Sequence, residues 1–171
     1  MDQFSRTELI IGKDAQKKLN NAKVAVFGLG GVGSYVVEGL ARAGIGNFVL
    51  VDKDIVDITN INRQLIAMHE TVGKPKVEIE KDRILSINPN AKVEIQQMFF
   101  MPGKDSIIDD SIDYIVDAID TVTAKIGLIV KANELNIPII SLFFNIISFP
   151  IWIYIINPSY FFSSLHVPFS T

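Results

Sequence analysis

The stretch Gly28-Leu-Gly-Gly-Val-Gly33 constrains this chain more than any other feature, because of what flanks it. Before it runs Lys23-Val-Ala-Val-Phe27, a short β-branched segment that ends at glycine and reads as a buried strand. After it, residues 34–43 place Tyr35, Val36, Leu40 and Ala43 at helical spacing, with Gly44 as the stop. Phe48-Val-Leu-Val51 is a second strand. Strand, glycine loop, helix and strand make a βαβ unit, and such crossovers are nearly always right-handed and parallel.

Gly28, Gly30 and Gly33 fit G-x-G-x-x-G in the context that the motif requires. Without Cβ atoms the backbone can approach phosphates, and the helix N-terminus adds N–H donors and the positive end of its dipole. Asp52 closes the second strand, about 20 residues beyond the loop, where an acid accepts ribose hydroxyls. Up to this point an NAD(P)-dependent oxidoreductase accounts for everything, and a bare tight turn accounts for the glycines.

The rest of the pattern sets the architecture. Residues 13–20 read as a short polar helix. Residues 75–87 carry Val77, Ile79, Ile84, Leu85 and Ile87 among charges, which predicts an amphipathic helix. Residues 92–100 read as a strand, 114–116 as a buried strand, 121–136 as a helix, and 137–140 as a further strand with Pro138 near its start. Strands alternating with helices predict a Rossmann-like, doubly wound α/β fold with a mainly parallel sheet. A chain of 171 residues suffices for one such domain. Its net charge of -3 gives no sign of a strongly basic nucleic-acid surface, although a local basic patch stays open. The absence of cysteine excludes disulfides, zinc–thiolate sites and a thiol nucleophile within these residues, and fits a cytoplasmic location. Residues 1–6 lack the apolar run of a secretory signal.

Beyond Asp52 the chain departs from the plain dinucleotide pattern. Gly31 makes the loop G-x-G-G-x-G, Asp54 follows two residues after Asp52, and Asn60, Asn62, Arg63 and Gln64 form a close polar group. Near a triphosphate that group has a purpose: Arg63 can pair with phosphate oxygens in a planar fork, while Asn62 and Gln64 add neutral hydrogen bonds. The alternative for Arg63 is a solvated loop position. Lys76 falls in the first turn of the amphipathic helix, either as a surface lysine or as a point charge on the leaving phosphates. Asp120 follows a buried strand at the carboxyl edge of the sheet, where open α/β folds bind ligands. There it holds Mg²⁺ through one carboxylate oxygen, or else caps the following helix. His69 and His166 read as ordinary surface or half-buried histidines.

Together Gly28-Leu-Gly-Gly-Val-Gly33, Val51-Asp-Lys-Asp54, Thr59-Asn-Ile-Asn-Arg-Gln64, Gly73-Lys-Pro-Lys-Val77 and Asp117-Ala-Ile-Asp120 resemble the ThiF/MoeB superfamily of ubiquitin-activating-like adenylating enzymes. Phe4-Ser-Arg6, Ser34-Tyr-Val-Val-Glu-Gly-Leu-Ala-Arg-Ala-Gly-Ile-Gly46 and Asp117-Ala-Ile-Asp-Thr-Val-Thr-Ala-Lys125 are similar, more narrowly, to its tRNA threonylcarbamoyladenosine dehydratase branch. The resemblance covers residues 3–141. It implies that Gly31 and its neighbours line ATP, with Asp52 on the ribose and Asp54 near the phosphates. Asn62, Gln64 and Thr121 join that cofactor-binding set. Arg63 and Lys76 would hold the phosphates and Asp120 Mg²⁺. Arg6 matches an arginine that reaches into the partner subunit's site, which implies a homodimer; taken alone it reads as a terminal surface arginine.

The implied chemistry is attack of a carboxylate of threonylcarbamoyladenosine in tRNA on the α-phosphorus of ATP. Pyrophosphate leaves, and the carbamoyl nitrogen then closes on the acyl-adenylate, releasing AMP. The runners-up are activation of a ubiquitin-like sulfur-carrier protein with the same ATP residues, an NAD(P) oxidoreductase, and a non-enzymatic remnant. Residues 142–171 separate from the rest: after Glu134 there is no Asp, Glu, Lys or Arg. Three readings of that tail stand side by side: a membrane segment over 137–156, buried strands, or sequence read out of frame. Where the family continues with a glycine-bearing loop and a substantial C-terminal half, this chain has the charge-free tail. The expectation is a truncated, poorly soluble and impaired enzyme.

Overall fold

The computed structural model describes residues 2–103, 106–143 and 152–156. Six strands form one sheet: β1 (Lys23–Phe27), β2 (Asn47–Val51), β3 (Lys92–Gln96), β4 (Tyr114–Asp117), β5 (Ile139–Phe143) and β6 (Trp152–Ile156). Their order is β3-β2-β1-β4-β5-β6. The first five run parallel, with Phe27 level with Val51 and Asp117, and β6 returns antiparallel to β5. The chain first builds outward from β1 through β2 to β3, then crosses to β4 on the other side. That reversal opens a crevice beyond the carboxyl ends of β1 and β4.

Each face of the sheet is covered. On one, α3 (Gly33–Ala43) and α4 (Lys76–Ile87) press Val37, Ala41, Val77 and Ile84 onto Val24, Val26, Phe48 and Leu50. On the other, α5 (Val122–Glu134) packs Ala124, Leu128 and Ala132 over Ala25, Phe27, Ile115 and Ile139. Central strands buried on both sides explain why β1 and β4 read as continuous apolar runs rather than alternating ones. Edge strand β3 does alternate, with Val93 and Ile95 turned inward.

Several boundaries differ from expectation, each for a local reason. Strand β3 stops at Gln96, not 100: the Met98 N–H turns back to the Gln96 carbonyl, and Phe100 crosses the core to meet Phe27 edge-on at 5.2 Å. Helix α5 ends at Glu134, where Asn136 takes a left-handed φ of 55°. The Ile137 N–H still bonds the Ala132 carbonyl, so β5 starts at Ile139 rather than 137. Two helices precede β1, α1 (Ser5–Ile11) and α2 (Lys13–Asn21); the first was not expected. It is seeded by Asp2, whose carboxylate accepts the Phe4 N–H.

The tail is met only in part. Residues 152–156 pair as a strand with β5, Ile139 opposite Ile156 and Phe143 opposite Trp152. A continuous membrane helix over 137–156 is therefore contradicted, because two strands occupy its ends. No helix among the described residues is long and apolar enough to cross a membrane. Residues 144–151 and 157–171 lie outside the described residues, and the readings of the tail as a frameshift product fall there too.

Candidate functional site

The glycine loop is closed by contacts that only glycine permits. Gly28 sits at φ +88° and donates its N–H to the Val51 carbonyl at 2.9 Å. A Cβ there would lie 2.6 Å from the Ala118 carbonyl oxygen, and one at Gly33 only 1.8 Å from the Gly28 oxygen. Gly30 and Gly31 differ: their Cβ positions are unobstructed, with Arg63 the neighbour of Gly31 at 3.4–3.9 Å. The two outer glycines thus serve the turn, whereas a Cβ at either inner one would make only ordinary contacts. Ser34 donates its N–H and its hydroxyl to the Gly30 carbonyl, at 3.1 and 2.7 Å, so the loop runs straight into α3. The Ser34 amide is thereby used within the loop, and the positive end of the helix dipole is what the start of α3 offers an anion.

Three predicted side chains join in a chain of contacts beside it. Asp52 is half-buried; its Oδ2 accepts the Leu29 N–H at 2.6 Å and its Oδ1 the Asp54 N–H at 2.8 Å. Asp54 Oδ2 in turn lies 3.2 Å from Lys76 Nζ. The Lys76 N–H also donates to the Asp54 carbonyl at 3.0 Å, which pins the start of α4 to this loop. Lys76 is 4 % exposed, so the surface-lysine alternative is corrected. The isolated bridge between Ile55 and Pro75 holds the helix N-terminus in place.

The polar group after Asp54 divides into structural and free members. Asp57 and Asn60 form a reciprocal cap on the 3-10 turn Ile58–Asn60. The Thr59 hydroxyl and N–H that donate to Asp57 hold its carboxyl below the usual range. Arg63 is exposed, and its Nη1 donates to the Thr59 carbonyl and to Asn62 Oδ1, both at 2.9 Å. Gln64 is buried, and its Oε1 has no partner among the described residues. Its Nε2 stands 4.0 Å from the Cβ position of Gly30. An orphaned buried acceptor beside a glycine loop suits a ligand that brings a donor.

Asp120 is exposed and makes no side-chain bond among the described residues. It does not cap α5, since the N-cap is Thr121, whose side chain makes no cap bond. The cap alternative for Asp120 is thereby corrected. No group of three or more acidic or histidine side chains that could hold a metal exists among the described residues, so a metal here needs oxygens from a ligand. Arg6 is not brought to this cluster. It is exposed on α1, whose N-cap Phe4 packs 3.1 Å from the Cβ position of Gly44, at the opposite end of the sheet.

Two buried charges carried no sequence expectation. Lys125 pairs with Asp117 at 3.0 Å behind the carboxyl edge, and Glu80 of α4 is fully buried. A signal existed for both. Lys125 shares the apolar face of Ala124, Leu128 and Ala132, and Glu80 lies between Val77 and Ile84 at helical spacing.

An open sheet of this order, with a glycine loop at its reversal point and an acid at the end of the next strand, defines a Rossmann-like α/β protein. The ThiF family model matches residues 4–142, and the chain belongs to the ThiF family. It is 49% identical over 142 residues to tRNA threonylcarbamoyladenosine dehydratase of Bacillus subtilis, covering 82% of this chain and 56% of that one. It is 34% identical over 128 residues to molybdopterin-synthase adenylyltransferase of Haemophilus influenzae, covering 75% and 53%. The crystal structure of Escherichia coli tRNA N6-threonylcarbamoyladenosine dehydratase in complex with ATP superposes with a TM-score of 0.76 at 37% identity, over 80% of this chain and 57% of that one. The chain thus spans about half the length of the relatives it matches.

Proposed function

We propose that this chain carries the ATP-binding part of an enzyme that adenylates a carboxylate, and that the carboxylate belongs to threonylcarbamoyladenosine in tRNA. The observation that carries the reading is the continuous contact path from the Leu29 amide through Asp52 and Asp54 to Lys76, with Arg63 against Gly31 across the loop. An NAD enzyme needs an acid at Asp52, but it has no use for a buried lysine paired with Asp54 together with an arginine packed against Gly31. The similarity to a dehydratase solved with ATP supports the same choice, as does 49% identity to a protein of that name against 34% to an adenylyltransferase.

The residues suit ATP and Mg²⁺. Gly30 and Gly31 leave room for phosphates, and Gln64 Oε1 accepts from a ligand hydroxyl or amine. Asp52 takes the ribose hydroxyls. Arg63 and Lys76 hold the phosphates, and in the transition state they stabilise charge on the departing pyrophosphate. Asp120, without a protein partner among the described residues, is the carboxylate for Mg²⁺, which would supply charge neutralisation when bound. Asn62 fixes the Arg63 fork, and Thr121 lies beside Asp120 at the mouth. No protein nucleophile is required: the carboxylate attacks the α-phosphorus, pyrophosphate leaves, and the carbamoyl nitrogen displaces AMP.

We assign the adenylating unit to residues 1–141, close to where the family match ends at 142; the sheet itself runs on through Phe143, and Trp152–Ile156 add a strand to it. Arg6 sits at the far end from its own glycine loop, which suits an arginine that serves a second subunit's site, so the working form is a homodimer. The location is the cytoplasm, with its tRNA.

ATP–pyrophosphate exchange tests the reading. Exchange stimulated by tRNA carrying threonylcarbamoyladenosine, and lost in Asp120→Ala, is the expected result. Exchange that responds to a small ubiquitin-like protein and not to tRNA moves the assignment to sulfur-carrier activation. Folded protein with no affinity for Mg-ATP overturns it.

A further inference from the structure

Three side chains that the nucleotide reading does not use meet behind the carboxyl edge. Lys125 of α5 is nearly buried, and Asp117 of β4 and Ser141 of β5 are fully so. Lys125 Nζ donates to Asp117 Oδ2 at 3.0 Å and to the Leu142 carbonyl at 2.8 Å, and lies 3.4 Å from Ser141 Oγ. The Ser141 hydroxyl donates to the same Asp117 oxygen at 2.6 Å. A buried ion pair of this kind adds little net stability over apolar packing of the same volume. Its geometry points to a different use.

The second Asp117 oxygen, Oδ1, accepts the Ile119 N–H at 3.1 Å. That bond holds the turn 118–120. Ala118 of this turn donates its N–H to the Phe27 carbonyl at 2.8 Å. Its own carbonyl oxygen is 2.6 Å from the Cβ position of Gly28, and its Cβ is 3.4 Å from that of Gly33. The same turn ends in Asp120. A shift of the turn therefore moves the support of the glycine loop and the Asp120 carboxylate together.

We propose that Lys125, Asp117 and Ser141 are positioning residues that lock the 118–120 turn, so that the glycine loop and Asp120 meet a magnesium-bound nucleotide in fixed register. The use of that register rests on the nucleotide reading; the coupling itself does not.

Hydrogen–deuterium exchange of the full chain tests the coupling, in wild type, Ser141→Ala and the hydroxyl-retaining Ser141→Thr. In Ser141→Ala, amides of residues 28–33 and 118–120 are expected to exchange at least tenfold faster, those of β2 and β3 to stay unchanged, and Ser141→Thr to restore protection. Faster exchange confined to β5, or no change in residues 28–33, overturns the proposal. Titration with Mg-ATP on the same proteins is expected to weaken at least fivefold in Ser141→Ala and recover in Ser141→Thr. Equal affinity in all three also overturns it. Wild-type protein that exchanges as expected yet takes up no Mg-ATP overturns the nucleotide reading and leaves the coupling standing.

Discussion

Glu80 should make this protein less stable as pH rises through neutrality. Its side chain lies on the inner face of α4 between Val77 and Ile84, fully buried, and neither carboxylate oxygen has a partner among the described residues. Burial, reinforced by the nearby Glu38 charge and only partly offset by Arg83, pushes its carboxyl up to about 8. Arg83 cannot fully compensate, because it is committed to Glu38, donating from Nε and Nη2 at 2.8 Å each. The unfolded chain releases this proton near the ordinary value of 4.5, while the folded chain keeps it. Over that window the unfolded state binds fewer protons, so stability falls with rising pH, by about 1.4 kcal/mol per pH unit. By pH 7 the loss is roughly 3 kcal/mol, and above pH 8 it levels off at roughly 4–5 kcal/mol.

The Glu80→Gln variant removes the charge and keeps the shape. Urea unfolding of both proteins at pH 5, 6, 7 and 8 isolates the effect as a difference. The two should agree within about 1 kcal/mol at pH 5, with the variant ahead by roughly 4 kcal/mol at pH 8. Groups that titrate alike in both cancel from that difference. A difference that stays flat from pH 5 to pH 8 refutes the reasoning, because it would mean that Glu80 finds water or a partner when folded.

Other expectations follow from the same geometry. Gly33→Ala drives a Cβ onto the Gly28 carbonyl, backbone against backbone, and should destabilise by about 2 kcal/mol or more as well as abolish Mg-ATP binding; a urea titration and a calorimetric titration check the two parts. Gly30→Ala meets only the Gln64 amide at 4.0 Å, so stability should change by less than about 1 kcal/mol while nucleotide affinity falls at least tenfold. Leu128→Ala empties a fully buried position under α5 and should cost about 2–5 kcal/mol in the same unfolding assay. Lys76→Met keeps the buried stem and loses a bridge to the half-exposed Asp54, so it should move stability by no more than about 1 kcal/mol yet weaken Mg-ATP binding at least tenfold.

What could be read from the residues was whatever is decided locally. The βαβ unit around Gly28–Gly33 was legible because strand burial, glycine spacing and helical period all agree there, and β1, α3 and β2 fall within a residue of expectation. Strand β3 was overextended because an apolar run such as Met98–Phe100 does not say whether it pairs or packs, and Phe100 packs on Phe27. The roles within the polar group were equally hidden. Asn60 and Arg63 are both polar residues in a loop, but one caps a turn and the other lays its stem against Gly31 with its guanidinium exposed, a division made by tertiary contacts. Residue type alone left Lys76 open between a surface lysine and a phosphate contact, because its partner, Asp54, lies 22 positions earlier. Lys125 and Glu80 show the reverse: each breaks an apolar face at helical period, and such a break marks a position that needs a partner or carries a cost.

The bonds within the candidate site also bear on how it would receive a ligand. Asp52 already accepts the Leu29 amide, Lys76 already pairs with Asp54, and Nη1 of Arg63 is already held by a carbonyl and an amide oxygen. None of these groups has to be ordered from a free state when a nucleotide arrives, which spares the side-chain entropy that association normally costs, about 0.5–1.5 kcal/mol for each rotamer-rich side chain. The bonds differ in how easily they are given up. Asp52 has further lone pairs for ribose hydroxyls without releasing Leu29, and the Arg63 fork has donors beyond Nη1. Lys76 has three protons and points at a half-exposed acid, so phosphate oxygens can share it with Asp54 rather than displace that residue. Gln64 Oε1 and the Asp120 carboxylate, which have no protein partner among the described residues, then call for something of the ligand's own: a donor for the amide oxygen and a cation for the acid. A nucleotide triphosphate with its metal brings both, and a dinucleotide brings no cation. That difference separates the adenylating reading from the oxidoreductase one more sharply than the glycine loop they share.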